Sequence, residues 1–475
     1  MGSKDIALIA HLMRRAGFGA TYEELEARDA KGYEATVEEL LDPDSYGVPE
    51  FDEFIPARFY PAYEWPTAPT HPQANVVYHL ISSPRPLHEK MALFWHMLFA
   101  TSDAKVNGNH QMLQQFHMFR EYGLGDYRDL LVRVAKDPAM IFWLDNNENH
   151  TDAPNENWGR ELLELFSLGV GMDGHLNYTE DDVKAAARAF TGWTMSYRIP
   201  GLAYLWGFEY KEEDHDDGEK VFLGHRGRFN GEDIVDIIVQ QPATHRFIAR
   251  HLYNFFVADE VQVAAWKDTP PRDPDAVNAI AKAFKESGYE IKDTLRFIFN
   301  SDFFKDERAW FAKVKNPAEV VAGTMRLVGE YKEPKPGLTL LAWEMGFQSQ
   351  ELLNPPSVEG WHYGQEWIDS GSLVRRVNLM ADNLGDATKP GTRYIIDRLA
   401  SRGGMSPEEL VDGCLEIMGY IRLESETRQE YIDYVKAEAG SEVKRGVSKK
   451  EVQAFEQLVT NVLRHIASSK EYQFC

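Results

Sequence analysis

The stretch Leu87-His88-Glu89-Lys90-Met91-Ala92-Leu93-Phe94-Trp95-His96-Met97-Leu98-Phe99 constrains the fold more than any other, and it follows the start signal Ser83-Pro84-Arg85-Pro86. Read as a helix, it is apolar on almost every side. Such a helix cannot face water and must be wrapped by other elements. His96 lies inside the apolar run, with His88 and Glu89 about two turns earlier. The wrapping elements are predicted to be helices. Residues 5–16 place Ile6, Ile9, Leu12, Met13 and Ala16 on one side, and Thr21-Tyr22-Glu23-Glu24 is a capping box. With Val37 to Leu41 these form an N-terminal helical unit over about residues 1–45. Residues 42–76, rich in Pro, Asp and aromatics, read as a long ordered loop. Helical spacing returns over 106–124, 126–136, 139–144, 232–239, 243–256, 275–287, 291–300, 317–328, 338–345 and 373–383.

Two regions break this texture. Residues 195–231 mix aromatics with Gly and charge, and Tyr204, Trp206, Phe208 and Tyr210 alternate with strand period. A small extended or β excursion is expected there. Lys389-Pro390-Gly391 marks a boundary, beyond which Ser406-x-x-Glu409 and Ser448-x-x-Glu451 open capped helices. The expected fold is mainly α: a multi-helix body over 1–388 and a C-terminal helical subdomain over 389–475. A chain of 475 residues is also longer than one typical core supports.

The net charge of -24 argues against general binding to nucleic acid or an anionic membrane, since phosphates need a basic surface. Local basic pairs, Arg14-Arg15 and Arg375-Arg376, would suit at most a single anion. The two cysteines, Cys414 and Cys475, make neither a disulfide framework nor a Cys-based metal site. No apolar run approaches a membrane span. The five residues Ile6 to Ala10 are too few for a secretory core, so the chain as it stands reads as cytoplasmic, and as exported only if a leader has been removed.

Polar chemistry concentrates between Pro154 and Thr194. Asn157, Arg160, Glu161 and Glu164 fall at i, i+3, i+4 and i+7, hence on one face of a helix that ends near Gly169. Thr179-x-x-Asp182 caps the next helix. Spacing alone is equally met by a solvated charged face. No P-loop, Rossmann glycine pattern, H-E-x-x-H, G-x-S-x-G or EF-hand loop occurs. The first candidate set is His96 with Glu161 and Glu164, donors that suit a divalent metal such as zinc, manganese or iron. Its Glu-x-x-Glu matches the Glu-x-x-His of di-iron bundles imperfectly. The alternative is a hydrogen-bonded core His96, with the glutamates paired to Arg160 and Arg188. The second set is His215-Asp216-Asp217-Gly218 with Glu219, either as a cation loop or with His215 as an acid/base group. The third is a groove lined by Trp193, Trp206, Trp361 and Trp367.

Eight blocks of sequence carry a resemblance. They include Leu12-Met13-Arg14-Arg15-Ala16-Gly17-Phe18-Gly19, Glu89 to His96, Pro154 to Gly169, Ala187 to Trp193, His215 to Gly224, Lys315-Asn316-Pro317-Ala318-Glu319 and Asn354-Pro355-Pro356-Ser357-Val358-Glu359-Gly360-Trp361. Taken together they resemble the bacterial family named "domain of unknown function 1800" over nearly the whole chain. The resemblance implies frequent export and a protein partner from a family with a sulfatase-like fold. Its members often carry a second histidine two residues after His96, where this chain has Leu98. The resemblance also raises the polar motif to a functional or network centre. The reading that follows is an enzyme with a His/carboxylate site, metal-assisted, performing hydrolysis or oxidation. His96, Glu161 and Glu164 would be ligands or acid/base groups, Arg160 an anion or carboxylate partner, and His215 a contribution from a covering loop. The rival is a non-catalytic scaffold, chaperone or secretion partner. Convergence of His96, Glu161 and His215 on one cavity separates the two.

Overall fold

The computed structural model describes residues 3–52, 54–59, 70–172, 174–197 and 205–475. Among them are twenty-four α-helices and three two-stranded antiparallel sheets, so the fold is mainly α. No helix among these residues is long and apolar enough to cross a membrane.

The apolar run forms the helix Pro86–Leu98, with Pro86 in its first turn, where a missing N–H costs nothing. Every residue of this helix except His88 is buried. Its aromatic side chains interlock: Phe94 meets the distant Phe255, and Trp95 stacks on Phe99 at the helix's own end and on the distant Tyr127. Its polar atoms are matched from afar. Trp95 Nε1 donates to the Gly123 carbonyl at 2.8 Å. Glu89 is held by Arg120 Nε at 2.9 Å and His79 Nδ1 at 3.3 Å. Lys90 donates to the Gly17 carbonyl at 2.9 Å and pairs with Glu319. Burial pushes the Glu319 carboxyl up, but Lys90 and Lys313 outweigh it and hold it at about 2.

The N-terminal unit is present as Ser3–Arg15, Tyr22–Lys31 and Tyr33–Leu41, the second opened by the Thr21/Glu24 capping box. Arg15 is buried and spends one nitrogen on the Val257 and Ala309 carbonyls, at 3.0 and 2.9 Å. Arg14 Nη1 donates to the Gly419 carbonyl at 2.6 Å. This pair therefore ties the first helix to distant chain. Arg376 likewise donates to the Lys315 carbonyl, and Arg375 to Glu344.

The expected loop over 42–76 holds more helix than its composition suggests. Phe54–Phe59 is helical, and Thr70–Ser82 begins early because Pro72 sits in its first turn, where proline is tolerated. In the 195–231 region Trp193–Tyr197 pairs with Trp206–Tyr210, Trp193 opposite Tyr210. A second hairpin joins Lys220–Phe222 to His225–Gly227. Tyr204, part of the expected alternation, lies outside the described residues.

Beyond 389 the helices Pro390–Ala400, Pro407–Ile417, Ser425–Ala439 and Lys449–Ser468 surround a second apolar cluster. The boxes at Ser406/Glu409 and Ser448/Glu451 are both formed. The cluster also takes in Tyr22, Val320, Met380 and Leu384, so residues on both sides of 389 contribute. Cys414 and Cys475 are both free and buried.

Because Lys90 has no solvent, Glu319→Ala leaves an uncompensated buried ammonium. The expected loss is about 3–5 kcal/mol of unfolding free energy, measured by denaturant titration at pH 7.

Candidate active site

The polar motif forms the helix Asn157–Glu164, and its apolar side, Trp158, Leu162 and Leu163, is buried. Gly159 sets how closely it approaches the next helix, Glu180–Ala189. A methyl group there would lie 3.0 Å from the Ala187 nitrogen and 3.1 Å from the Val183 oxygen. Arg160 locks the two helices together with 2.8 and 2.7 Å bonds to the two oxygens of Glu180, and a 3.1 Å bond to Glu156. It is a carboxylate partner, but of Glu156 and Glu180 rather than of Glu161 or Glu164.

Glu164 faces a groove made of two adjoining cavities of about 180 and 260 Å³, and Glu161 stands outside its lining but within electrostatic reach of Glu164 and Glu359. Leu165, Val263, Ala264 and Glu359 line both. Glu164 lines the larger and accepts the Tyr178 hydroxyl at 3.1 Å. Burial lifts the Glu161 carboxyl to about 7, reinforced by Glu164 and Glu359 and opposed by Arg160. Desolvation and like charge both disfavour its ionised form. Glu359 is delivered by the turn 354–361, in which Gly360 has φ +79° and lies so close to the central helix that a methyl group would come 2.5 Å from the Met97 oxygen. No side chain but hydrogen fits this seat.

His96 serves that same turn. Its Nε2 accepts the Leu353 N–H at 3.0 Å, and the Leu353 carbonyl accepts the Asp103 N–H at 2.9 Å. These bonds hold Leu353 at φ 61°, a conformation that is strained for a branched side chain. The His96 ring lies edge-on to Phe116 and Trp361, and burial lowers it to about 3, so it is neutral. The metal set expected from His96, Glu161 and Glu164 does not come together. The imidazole nitrogen is spent on a backbone N–H, and among the described residues no three His, Cys, Asp or Glu side chains form a metal-holding group. These donors do not fit a metal ion.

His215 sits elsewhere. Its Nδ1 lies 3.0 Å from the Thr191 carbonyl oxygen, and its ring meets Tyr210 edge-on. Asp216 is clamped by Arg188 through bonds of 2.6 and 3.1 Å, and its backbone N–H donates to Thr191 Oγ1 at 2.8 Å. The His215–Glu219 segment thus fastens the hairpin region to the end of the Glu180–Ala189 helix. Its carboxylate answers an arginine of the chain itself. The expected convergence of His96, Glu161 and His215 on one cavity is not met: Glu164 and Glu359 line the groove, Glu161 stands beside them, His96 stands behind the wall, and His215 has a separate setting. Of the four tryptophans, Trp361 lines the groove, while Trp193 donates to Asn230 at 2.8 Å within its own packing.

Two groove residues escaped sequence reasoning. Glu359 stood in the Asn354–Trp361 motif without a role. His251 stood among the apolar-spaced positions of the helix now seen as Pro242–Phe256. It is 4 % exposed, packed between Phe247 and Trp266, and its Nε2 has no hydrogen-bond partner. Leu98 lines the same cavity.

Two expectations follow. His96→Phe preserves bulk but leaves the buried Leu353 N–H without its acceptor, at a cost of about 1–3 kcal/mol in denaturant titration. Glu161 binds its proton more tightly folded than unfolded, since its native value lies above the usual 4.5. Wild-type stability should therefore fall as pH rises from about 4.5 to about 7 and level off above. Glu161→Gln should remove that slope, making the variant the more stable protein at pH 8 but not at pH 4, read from thermal midpoints.

No curated protein and no solved structure matches this chain. A family model does, over residues 11–474, and it places the chain in the family described as "Protein of unknown function (DUF1800)".

Proposed function

We propose that this protein is a hydrolytic enzyme in which Glu161, beside the groove-lining Glu164 and Glu359, is the proton-transfer group. The observation that carries this reading is a half-buried carboxyl held near neutrality beside two further carboxylates. A general base or acid works best when its pKa lies near the working pH. Pairs of carboxyl groups pushed to different pKa values are a recurrent arrangement for dividing acid and base roles. In the ionised form Glu161 takes a proton from water as it attacks the substrate. The protonated form returns that proton to the leaving group. Glu164 and Glu359, which line the groove, face positive charge that develops on the substrate. Arg160, bound to Glu156 and Glu180, fixes the helix on which Glu161 stands. His96 acts as a positioning residue through Leu353 and the turn that carries Glu359. No step uses a metal ion, because His96, Glu161 and Glu164 do not fit one.

The test is a panel of ester, amide and glycosidic substrates assayed between pH 5 and 9 with wild type and Glu161→Gln. The expected activity has an apparent pKa of about 7 and falls by about 100-fold or more in the variant, while the variant remains folded. An activity that the variant retains in full contradicts the assignment. Full folding with no turnover in either protein, together with stoichiometric co-purification of a protein partner, favours the scaffold reading.

A further inference from the structure

Building on the reading of the groove as a substrate site, we propose that it selects ligands with an organic ammonium head attached to an apolar body. Three independent features support this. The walls are largely apolar, with Met97, Leu98, Leu165, Val263 and Trp361 facing the smaller cavity or its border with the larger. A ligand that fills this space must therefore present hydrocarbon or aromatic surface.

The polar groups are unbalanced in sign. Glu164 and Glu359 line the groove, and both act on Glu161. The neighbouring cations are mostly committed to other carboxylates. Arg160 is bound by Glu156 and Glu180, and Arg250, next to His251 in sequence, is bound by Glu260 at 2.6 Å. At the rim, His362 contacts Glu366. Lys267 is the cation lining the larger cavity, set against the two carboxylates of Glu164 and Glu359. Charge complementarity then favours a cationic head and rejects an anionic one.

The third feature is His251. It is 4 % exposed, lines the smaller cavity, and carries an Nε2 atom with no partner in the protein. A buried nitrogen left unpaired has lost its hydration without compensation, and a ligand N–H would restore it. Burial and the adjacent Arg250 keep the ring neutral, at about 3, so with its other nitrogen protonated it offers an acceptor and no competing charge. An ammonium group supplies donors for both His251 and the carboxylates, and the Trp361 ring in the same wall adds a surface that cations favour.

The experiment uses the full chain and three probes of equal length: n-hexylamine, 1-hexanol and hexanoate. Binding is followed by tryptophan fluorescence and calorimetry at pH 8 and pH 5, with probe up to about 10 mM. At pH 8 hexylammonium should bind at least ~10-fold more tightly than hexanol, with hexanoate weakest. That preference should shrink at pH 5, where Glu161 is protonated. Glu359→Gln, a surface change that leaves folding intact, should lower hexylammonium affinity several-fold and leave hexanol unchanged. His251→Phe should weaken hexylammonium more than hexanol. Equal binding of amine and alcohol, tighter binding of hexanoate, or no binding of any probe would overturn the proposal. None of those results bears on acid–base catalysis by Glu161, which the substrate panel reads separately. A Glu161→Gln variant with unchanged turnover would remove the catalytic reading without touching ammonium selection.

Discussion

The structure depends on burying one helix on every side. Pro86–Leu98 carries a lysine, a glutamate and a histidine into a place without water, and an unmatched polar group there costs several kcal/mol. Each is matched by a partner far away in the chain. Lys90 reaches Glu319, Glu89 is held by Arg120 and His79, and His96 takes the Leu353 N–H. These demands select one arrangement of the surrounding helices, because apolar packing alone tolerates many rearrangements whereas a buried charge tolerates few.

The groove is a consequence of that arrangement. The turn 354–361 is pinned at one end by His96 and at the other by Gly360 against the Met97 carbonyl. Both pins belong to the central helix, so the positions of Glu359 and Trp361 are set by the core and not by a free loop. On the facing side, Gly159 and the Arg160–Glu180 bonds press the Glu161 helix against its neighbour. Two rigid supports thus hold carboxylates near one another. Partial burial, reinforced by their mutual repulsion, raises the Glu161 carboxyl to about 7. A carboxyl raised to about 7 arises here from packing.

Much of this was legible in the amino acids. The all-apolar run declared a central helix, and the capping boxes at Thr21, Thr179, Ser406 and Ser448 all form. The strand period of Trp206 to Tyr210 is a real strand. The shared face of Arg160, Glu161 and Glu164 followed from helical spacing, which is a local property. What spacing could not reveal was which distant residues complete the site. His96 looked like a ligand because it is a histidine in an apolar helix, yet its nitrogen answers a backbone N–H 257 positions away. His215 shares a motif with acidic residues, but Arg188 had already claimed Asp216. His251 was hidden because its spacing is that of a core residue, and only its unpaired nitrogen distinguishes it. Glu359 was visible as part of a rigid turn, but nothing in that turn says that it will stand beside Glu161.

Packing holds the Glu161 carboxyl near neutrality in the company of Glu164 and Glu359. Carbon-detected NMR of glutamate side chains, assigned by comparison with Glu161→Gln and followed from pH 3 to 10, measures it directly. One carboxyl resonance, absent from the variant, is expected to titrate at about 7 and to move down in Glu359→Gln. A Glu161 resonance that titrates in the ordinary glutamate range, below about 5, would contradict it.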